Sequence, residues 1–499
     1  NNATIFSVPA MGGRLPPDSS FELWAQMRRF LPRYSLTPTA VGFCMLIKSE
    51  ILQRFDLFDE IYSPGYNEEN DFVCRINRFG YSALAANWAY VFHNEASSFG
   101  ARREKLEAIN RATLLQRYPE YPRKVEDYLQ FEVDPVEHFA ALYRPHRPRI
   151  LYDLFHLPAA YNGTSEFGLN LLREVSWELE REFELHVGVN PEALALFSPE
   201  LQGHKLYMDA PGTNEVFDLV FKPTQIFKWH EYERLIRLAP RIGFTLQDII
   251  AVRCEYLNSP QQETIFRKIA ELSDQIFTIS CATHSDFEAF FRMTVPMKLV
   301  YHGSDFGVTA GDPDGEEYIL VVGNDVYFHK GIDEAIEQLA GKWPLVVLGG
   351  YRSEPVRTPS GVRRLRSGHL PRQYLRQLFL KSQIVIYPSH YEGCGLPVLD
   401  ALALRKPVIV LNTAVNRELR KLTNDPNLHI IDSLRELDSG VRHVLTQGAF
   451  PSTLPIRSWR AAGIEYSDAF RRMLSQDVDY SKLRTRWDLY RCVNCLSRT

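Results

Sequence analysis

No stretch of the 499-residue chain has the length and apolarity of a membrane span, and its first residues, Asn1-Asn2-Ala3-Thr4, lack the charged-then-apolar pattern of an export signal. Basic charge is not in excess. Lys and Arg number 57 against 61 Asp and Glu, a net charge of −4, which does not suit nucleic acid as a partner. Cysteine is sparse and odd in number, seven in all, so reduced thiols in a cytoplasmic setting are expected rather than a disulfide framework. One C-x-x-C occurs, Cys492-Val493-Asn494-Cys495; without a second pair or a nearby histidine it reads as two incidental tail cysteines, not zinc ligands. Internal repeats and low-complexity tracts are missing. So is a starting methionine, which suggests that the sequence begins inside a longer parent.

What is present is an ordinary globular composition, 45% hydrophobic and 24% charged, on a chain too long for one core, so about two to four domains are expected. The most informative stretch is 383–411. Ile384-Val385-Ile386-Tyr387 is a short apolar run closed by Pro388-Ser389, which suits a buried strand; Tyr391-Glu392-Gly393-Cys394-Gly395-Leu396-Pro397 gives a loop. Pro397 opens a helix over 398–404, and Val408-Ile409-Val410-Leu411 reads as the next strand. Two glycines let backbone approach a ligand, and a helix start offers free N–H groups and a positive dipole end, a geometry for phosphate. With Glu392 before the glycines and Asp400 in the first helical turn, one carboxylate can reach past a phosphate while the other hydrogen-bonds a ribose. Equally, Asp400 can complement the helix dipole and Glu392 be a solvated loop acid.

Pro388-Ser389-His390-Tyr391-Glu392-Gly393-Cys394-Gly395-Leu396-Pro397 resembles the P-S-x-x-E-G-F-G-L-P loop of nucleotide-sugar-dependent glycosyltransferases of family 4, with Cys394 in place of Phe and Asp400 in place of the second Glu of E-x(7)-E. The resemblance runs over about 148–475 and implies a GT-B fold: α/β, two Rossmann-like lobes. Along it, Ile150-Leu151-Tyr152-Asp153-Leu154-Phe155 reads as a first strand and 161–166 as the loop before an amphipathic helix over 167–183. In the family a glycine of that loop lets backbone approach the donor phosphates or the acceptor, and here Gly163 stands there, although a lone glycine also suits a turn. Thr245-Leu246-Gln247-Asp248-Ile249-Ile250 resembles the H-D-x-I loop, with Gln247 where the family has histidine. Tyr318-Ile319-Leu320-Val321-Val322-Gly323 reads as a buried parallel strand leading to Lys330-Gly331. The resemblance gives Lys330 the neutralisation of the departing diphosphate. A cation at a helix start opposes the dipole, which argues for a reason beyond simple exposure. No arginine lies between Asn324 and His329, so the family's arginine is left to Arg352 or to one of Arg363, Arg364 and Arg366, which otherwise form a solvated face. Gly368-His369-Leu370-Pro371-Arg372 resembles the base-holding segment, and Ser458-Trp459-Arg460 the start of a terminal helix that packs back on the first lobe.

Ahead of this lies a different pattern. Thr37-Pro38-Thr39 to Ile47 reads as a loop into a strand, Ser49 as the N-cap of a short helix, and Asn67-Glu68-Glu69-Asn70-Asp71 as an acidic helix start. Together with Val91-Phe92-His93 it resembles the acceptor-side half of family 2 glycosyltransferases of the GT-A fold, in which Glu69 would be the general base and His93 would help hold a metal. That family's nucleotide-binding half and Asp-x-Asp motif are absent: Asp312-Pro313-Asp314 falls in a Pro/Gly loop and Asp477-Val478-Asp479 in the tail. Residues 101–148 read as a polar helical linker with solvated charges, whose basic, aromatic-bearing end could touch anionic lipid heads.

The expected organisation is a partial GT-A-like unit over 1–100, a linker over 101–148, GT-B lobes over 149–305 and 306–455, and C-terminal helices over 456–499. The resemblances imply a bifunctional-type glycosyltransferase, retaining, moving a sugar from a nucleotide-sugar donor to a glycan or lipid-linked glycan in cell-surface polysaccharide synthesis, in the cytoplasm or at the inner face of its membrane. Catalysis would fall to Glu392 and Lys330, with Glu69 in the first unit. Donor contacts would come from Gly163, Gly323, Lys330, Glu392, Gly393, Cys394, Gly395, Leu396 and Asp400. The GT-B unit would need no cofactor; only a complete GT-A unit would use Mn²⁺ or Mg²⁺, through His93. The alternative is a catalytically inactive GT-B sugar-binding or scaffolding module.

Overall fold

Short runs of buried Val, Ile and Leu build two parallel sheets. The computed structural model describes residues 17–40, 42–91, 103–129, 135–143, 147–209, 215–309, 318–349, 361–450 and 456–496; His93, Arg352 and Asp312-Pro313-Asp314 lie outside them. The strands are β1 Tyr34–Thr37, β2 Ala83–Ala86, β3 Arg149–Leu154, β4 Glu184–Val189, β5 Lys205–Tyr207, β6 Leu219–Lys222, β7 Ile242–Leu246, β8 Gln275–Thr278, β9 Met297–Leu299, β10 Ile319–Val322, β11 Leu345–Gly349, β12 Val362–Arg366, β13 Ile384–Tyr387, β14 Val408–Leu411 and β15 Leu428–Ile431. One sheet has seven strands in the order β5-β4-β3-β6-β7-β8-β9, the other six in the order β12-β11-β10-β13-β14-β15. Neighbouring strands in both are parallel. Strands β10, β13 and β14 are buried at every position, so both faces must be covered, which the crossover helices of a parallel sheet provide. Two Rossmann-like α/β lobes result, the fold class read from the sequence.

Strand order reverses once in each sheet. The chain runs outward from β3 through β4 and β5 and then returns to β6 on the other side of β3; β10 and β13 repeat the pattern. The crevice outside the carboxyl ends at such a reversal is where open α/β sheets bind ligands.

The helix Trp459–Ser475 packs on the helix Gly163–Leu179, and its Trp459, Tyr466 and Phe470 share one buried cluster with Tyr152, Phe167 and Phe221. Gly463 makes the crossing possible: a Cβ there would lie 2.3 Å from Glu174 Cβ. A further helix, Tyr480–Leu496, adds Trp487 to the core on the sheet's other face. The 163–179 helix starts earlier than the expected 167, because Asn162 and Ser165 form a capping box.

The first hundred residues differ in detail from the expectation. No strand forms at 44–47; the strand is β1, which finds an antiparallel partner in β2, whereas Leu46 is fully exposed with no neighbouring strand to accept its ladder bonds. Lys48, not Ser49, is the N-cap of the Ser49–Phe55 helix. Nor are the charges of 101–148 simply solvated. Leu114 and Tyr118 of the helix Arg103–Arg117 and its successor turn are buried against Tyr62 and Cys74, and Arg117 pairs with Asp59 and the buried Asp71 at 2.8 and 3.0 Å. Phe139 and Tyr143 pack with Met27, Phe30, Val216 and Leu483. This fastens the unit to the amino ends of β3 and β6, where Arg29 pairs with Asp218 at 3.3 Å and Asp218 accepts from the Arg149 N–H at 2.8 Å.

Candidate active site

The loops leaving β10 and β13 meet at the order reversal of the second sheet. The first carries Gly323 and ends in a short 3-10 turn, Phe328–Lys330; the second carries Glu392. Lys330 Nζ donates to Glu392 Oε1, with 17% and 12% of the two side chains exposed. Burial alone would raise the Glu392 pKa, but Lys330, helped by Ser389 and Tyr387, holds it below the ordinary carboxylate value. Two of the three residues that the sequence singled out for catalysis, Lys330 and Glu392, are therefore one charged pair at the order reversal of the second sheet. Glu392 is not the solvated loop acid that the sequence also allowed.

The glycine loop has a second task. Gly395 takes a left-handed conformation, φ 82°, and starts the helix Leu396–Ala403 with no side-chain cap. Gly393, by contrast, lies against the first lobe: a Cβ there would stand 1.8 Å from the Gln247 carbonyl oxygen. Ser280 Oγ donates to the Gly393 carbonyl at 2.6 Å, and Thr283 Oγ1 lies 3.2 Å from the same oxygen. Gln247 Nε2 donates to the Pro223 carbonyl at 3.3 Å. Neighbouring side chains complete the seam between lobes. Glu418 accepts from the N–H groups of Cys281 and Ala282 at 2.6 and 3.1 Å, Tyr391 donates to Asp286 at 2.6 Å, and Tyr256 Oη meets His329 Nδ1 at 2.8 Å. On the opposite wall the Tyr161 N–H donates to the Gly368 carbonyl at 2.9 Å and Arg372 pairs with Glu166.

Other expected donor contacts fall differently. Cys394 is buried in the core of the second lobe, and burial, with Glu418 nearby, pushes its thiol up to about 12; only its backbone could meet a ligand. The Leu396 side chain packs against the first-lobe core. Gly163 is the first residue of its helix, and the space a Cβ would fill there is open. Asp400 lies beyond the first helical turn and accepts from Ser304 Oγ at 2.6 Å. Burial pushes its pKa up to about 7, against the hydrogen bond from Ser304 and the charge of Arg372.

That shift has a sign. A carboxyl whose folded pKa is raised from 3.8 to about 7 holds its proton in the native state while the unfolded chain releases it, so stability falls as pH rises through that window and stays low above it. Asp400→Asn is expected to have a higher midpoint of thermal unfolding than the parent at pH 8, with the gap closing toward pH 4. A gap unchanged by pH would refute the assignment.

Of the arginines offered for the missing phosphate clamp, Arg364 is taken, pairing with Asp325 at 2.7 Å, and Arg363 and Arg366 are exposed on the edge strand β12. Sequence reading set Arg372 in a base-holding segment without giving it the part of a cleft cation, and it gave no role to Glu418, Ser280 or Thr283. Their partners are main-chain groups or acids far away in sequence, for which no local spacing gives a signal. Glu69 opens the helix Glu68–Asn77 as expected, and burial, with Glu68 beside it, raises its pKa to about 7. It belongs to the unit fastened at the amino ends of β3 and β6, whereas Lys330 and Glu392 stand at the carboxyl ends of the second sheet.

Residues 309–432, which contain both Lys330 and Glu392, match the family described as Glycosyl transferases group 1. O-antigen chain mannosyltransferase B of Escherichia coli is 35% identical over 78 residues, and the aligned stretch spans 14% of this chain and 20% of that protein. Among solved structures, sucrose-phosphate synthase of Thermosynechococcus elongatus is similar with 13% identity and a TM-score of 0.46, over 70% of this chain and 100% of that one. HepE of Anabaena, solved in complex with UDP and glucose, has 14% identity and a TM-score of 0.47, over 70% and 100%. The chain thus carries a glycosyltransferase group 1 domain on the second of two Rossmann-like lobes, in GT-B architecture. No helix among the described residues is long and apolar enough to cross a membrane.

Proposed function

We propose that the chain is a glycosyltransferase, retaining and of the family 4 type, that takes a sugar from a nucleotide-sugar and passes it to a glycan or lipid-linked glycan acceptor. The observation that carries this reading is the Lys330–Glu392 pair at the order reversal of the second sheet, inside the group 1 match. The donor diphosphate would meet Lys330 and the backbone around Gly395, with Gly163 and Gly323 giving backbone access. Positive charge at Lys330 gains value as the diphosphate departs, and Glu392 would orient the transferred sugar. The name of the Escherichia coli relative, an O-antigen chain mannosyltransferase, favours cell-surface polysaccharide as the acceptor class.

A thermal-shift screen with UDP-, GDP-, dTDP- and ADP-sugars tests donor binding. A ligand at about 100 times its dissociation constant adds about 2.7 kcal/mol, a clear rise in the unfolding midpoint. No shift with any of the four, together with no transfer to polysaccharide acceptors, would favour a non-catalytic scaffolding module instead.

Glu69 would take no part in this transfer, since its unit is fastened to the far side of the first lobe. Glu69→Gln is expected to leave turnover within about twofold of the parent, the range of an energy change below roughly 0.5 kcal/mol. A tenfold loss in the same assay would place that residue in the working site.

A further inference from the structure

The first lobe has its own order reversal, between β3 and β6, and a group of side chains there is not used by the proposed transfer. His156 follows β3, and His230 and Glu231 open the helix Trp229–Leu238; one ligand atom from each lies within 4.8 Å of the others. Beneath them the buried charges balance without Glu231. Asp153 pairs with Lys222 at 3.1 Å and with Arg234 at 2.8 Å, and Arg234 also pairs with Asp209 at 2.8 Å. Two cations against two carboxylates leave Glu231 as the acid with no Lys or Arg partner among the described residues. It is only 5% exposed and accepts from the Phe227 N–H at 3.4 Å. His156 Nδ1 is buried without a hydrogen-bond partner, and it lies 3.9 Å from Glu231 Oε2, beyond hydrogen-bond reach.

An orphaned imidazole nitrogen, a buried carboxylate and a second, exposed imidazole thus converge on one point. We propose that His156, His230 and Glu231 bind one divalent transition-metal ion of the zinc class. Two imidazoles and a carboxylate are the donor set such ions take, and bonds of about 2.0–2.1 Å would bring the ligand atoms to roughly 3.3 Å from one another. The required contraction is a matter of side-chain rotation, since His230 is exposed. A helix start opposes a cation, and Glu231 in the first turn offsets that. Three protein ligands leave a fourth position open to the crevice, for water or a hydroxyl oxygen of a sugar. This ion would sit in the first lobe, so metal-free handling of the diphosphate at Lys330 is a separate matter, and the inference does not rest on the transfer reading.

The test is titration of the full chain, stripped with chelator, by Co²⁺. One equivalent is expected to bind with the visible absorption of a four-coordinate nitrogen and oxygen site, and Zn²⁺ is expected to displace it. His156→Ala and Glu231→Gln should each weaken binding at least tenfold. His230→Ala, at an exposed position, should do the same with an unchanged far-ultraviolet circular dichroism spectrum, and it decides the matter if either of the other two variants fails to fold. Absence of stoichiometric binding, unaltered affinity in His230→Ala, or a thiolate-to-cobalt charge-transfer band that puts the ion on cysteine would each overturn the proposal.

Discussion

Lys330→Ala is expected to cut turnover by roughly 10²–10³-fold, the loss of one preorganised electrostatic contact worth about 2.7–4 kcal/mol. Donor affinity should fall much less, because the lysine matters most when negative charge gathers on the departing diphosphate. The structure adds a partner effect. Lys330 and Glu392 form one pair, so either single replacement also frees the other side chain. Glu392→Gln keeps shape and hydrogen-bonding capacity but leaves Lys330 without its counter-charge, and it too should lower turnover while nucleotide still binds. Their combined loss should therefore be smaller than the sum of the two, as for residues that act as a unit. Turnover and nucleotide affinity of the two single variants and the double variant check this. Near-normal transfer by both single variants would mean that the pair is not the catalytic site.

Asp153→Asn is expected to destabilise the first lobe by about 3–5 kcal/mol, the cost of breaking a buried ion pair from one side. Asp153 is fully buried and faces two cations, Lys222 and Arg234, neither of which has water to turn to. Burial alone would raise the Asp153 pKa, but Arg234 and Lys222 hold it far below the ordinary value of 3.8. A depressed carboxyl stabilises the fold fully above its unfolded pKa and loses that contribution only as pH falls toward the folded value. The destabilisation should hence be the same at pH 5 and pH 8, unlike the effect at Asp400. The midpoint of the first urea transition, measured at both pH values, checks it; a shift below about 1 kcal/mol would show that the pair is not holding the lobe together.

The strands were legible because each is a buried apolar run between turn residues. Ile384–Tyr387 and Val408–Leu411 begin and end where the sequence indicates. The 44–47 segment misled because apolar content does not supply a partner strand, whereas Tyr34–Thr37, with polar alternate residues, has one. Short edge strands such as Val362–Arg366 were hidden under charge, and Arg363, Arg364 and Arg366 read as surface although Arg364 reaches Asp325. In the site, Lys330 and Glu392 could be named from their loops, but their pairing required two loops 62 positions apart to meet. The meaning of Gly393 was similarly hidden: its loop is shaped as much by the carbonyl of Gln247 in the other lobe as by any ligand.

The crossing of Trp459–Ser475 onto the first lobe also sets an order of events during synthesis. The second sheet closes with β15, and its two buried clusters draw almost wholly on residues between 318 and 444, one contiguous stretch of chain. The first lobe begins earlier in the sequence, yet its core cluster lacks Trp459, Tyr466, Phe470 and Met473 until residues 459–473 have left the ribosome. Domains commonly complete from the N-terminus onward during translation. Here the later lobe can finish first, and the earlier one must wait with the faces of Tyr152, Phe167 and Phe221 uncovered, apolar surface of the kind that is prone to aggregate before folding is complete.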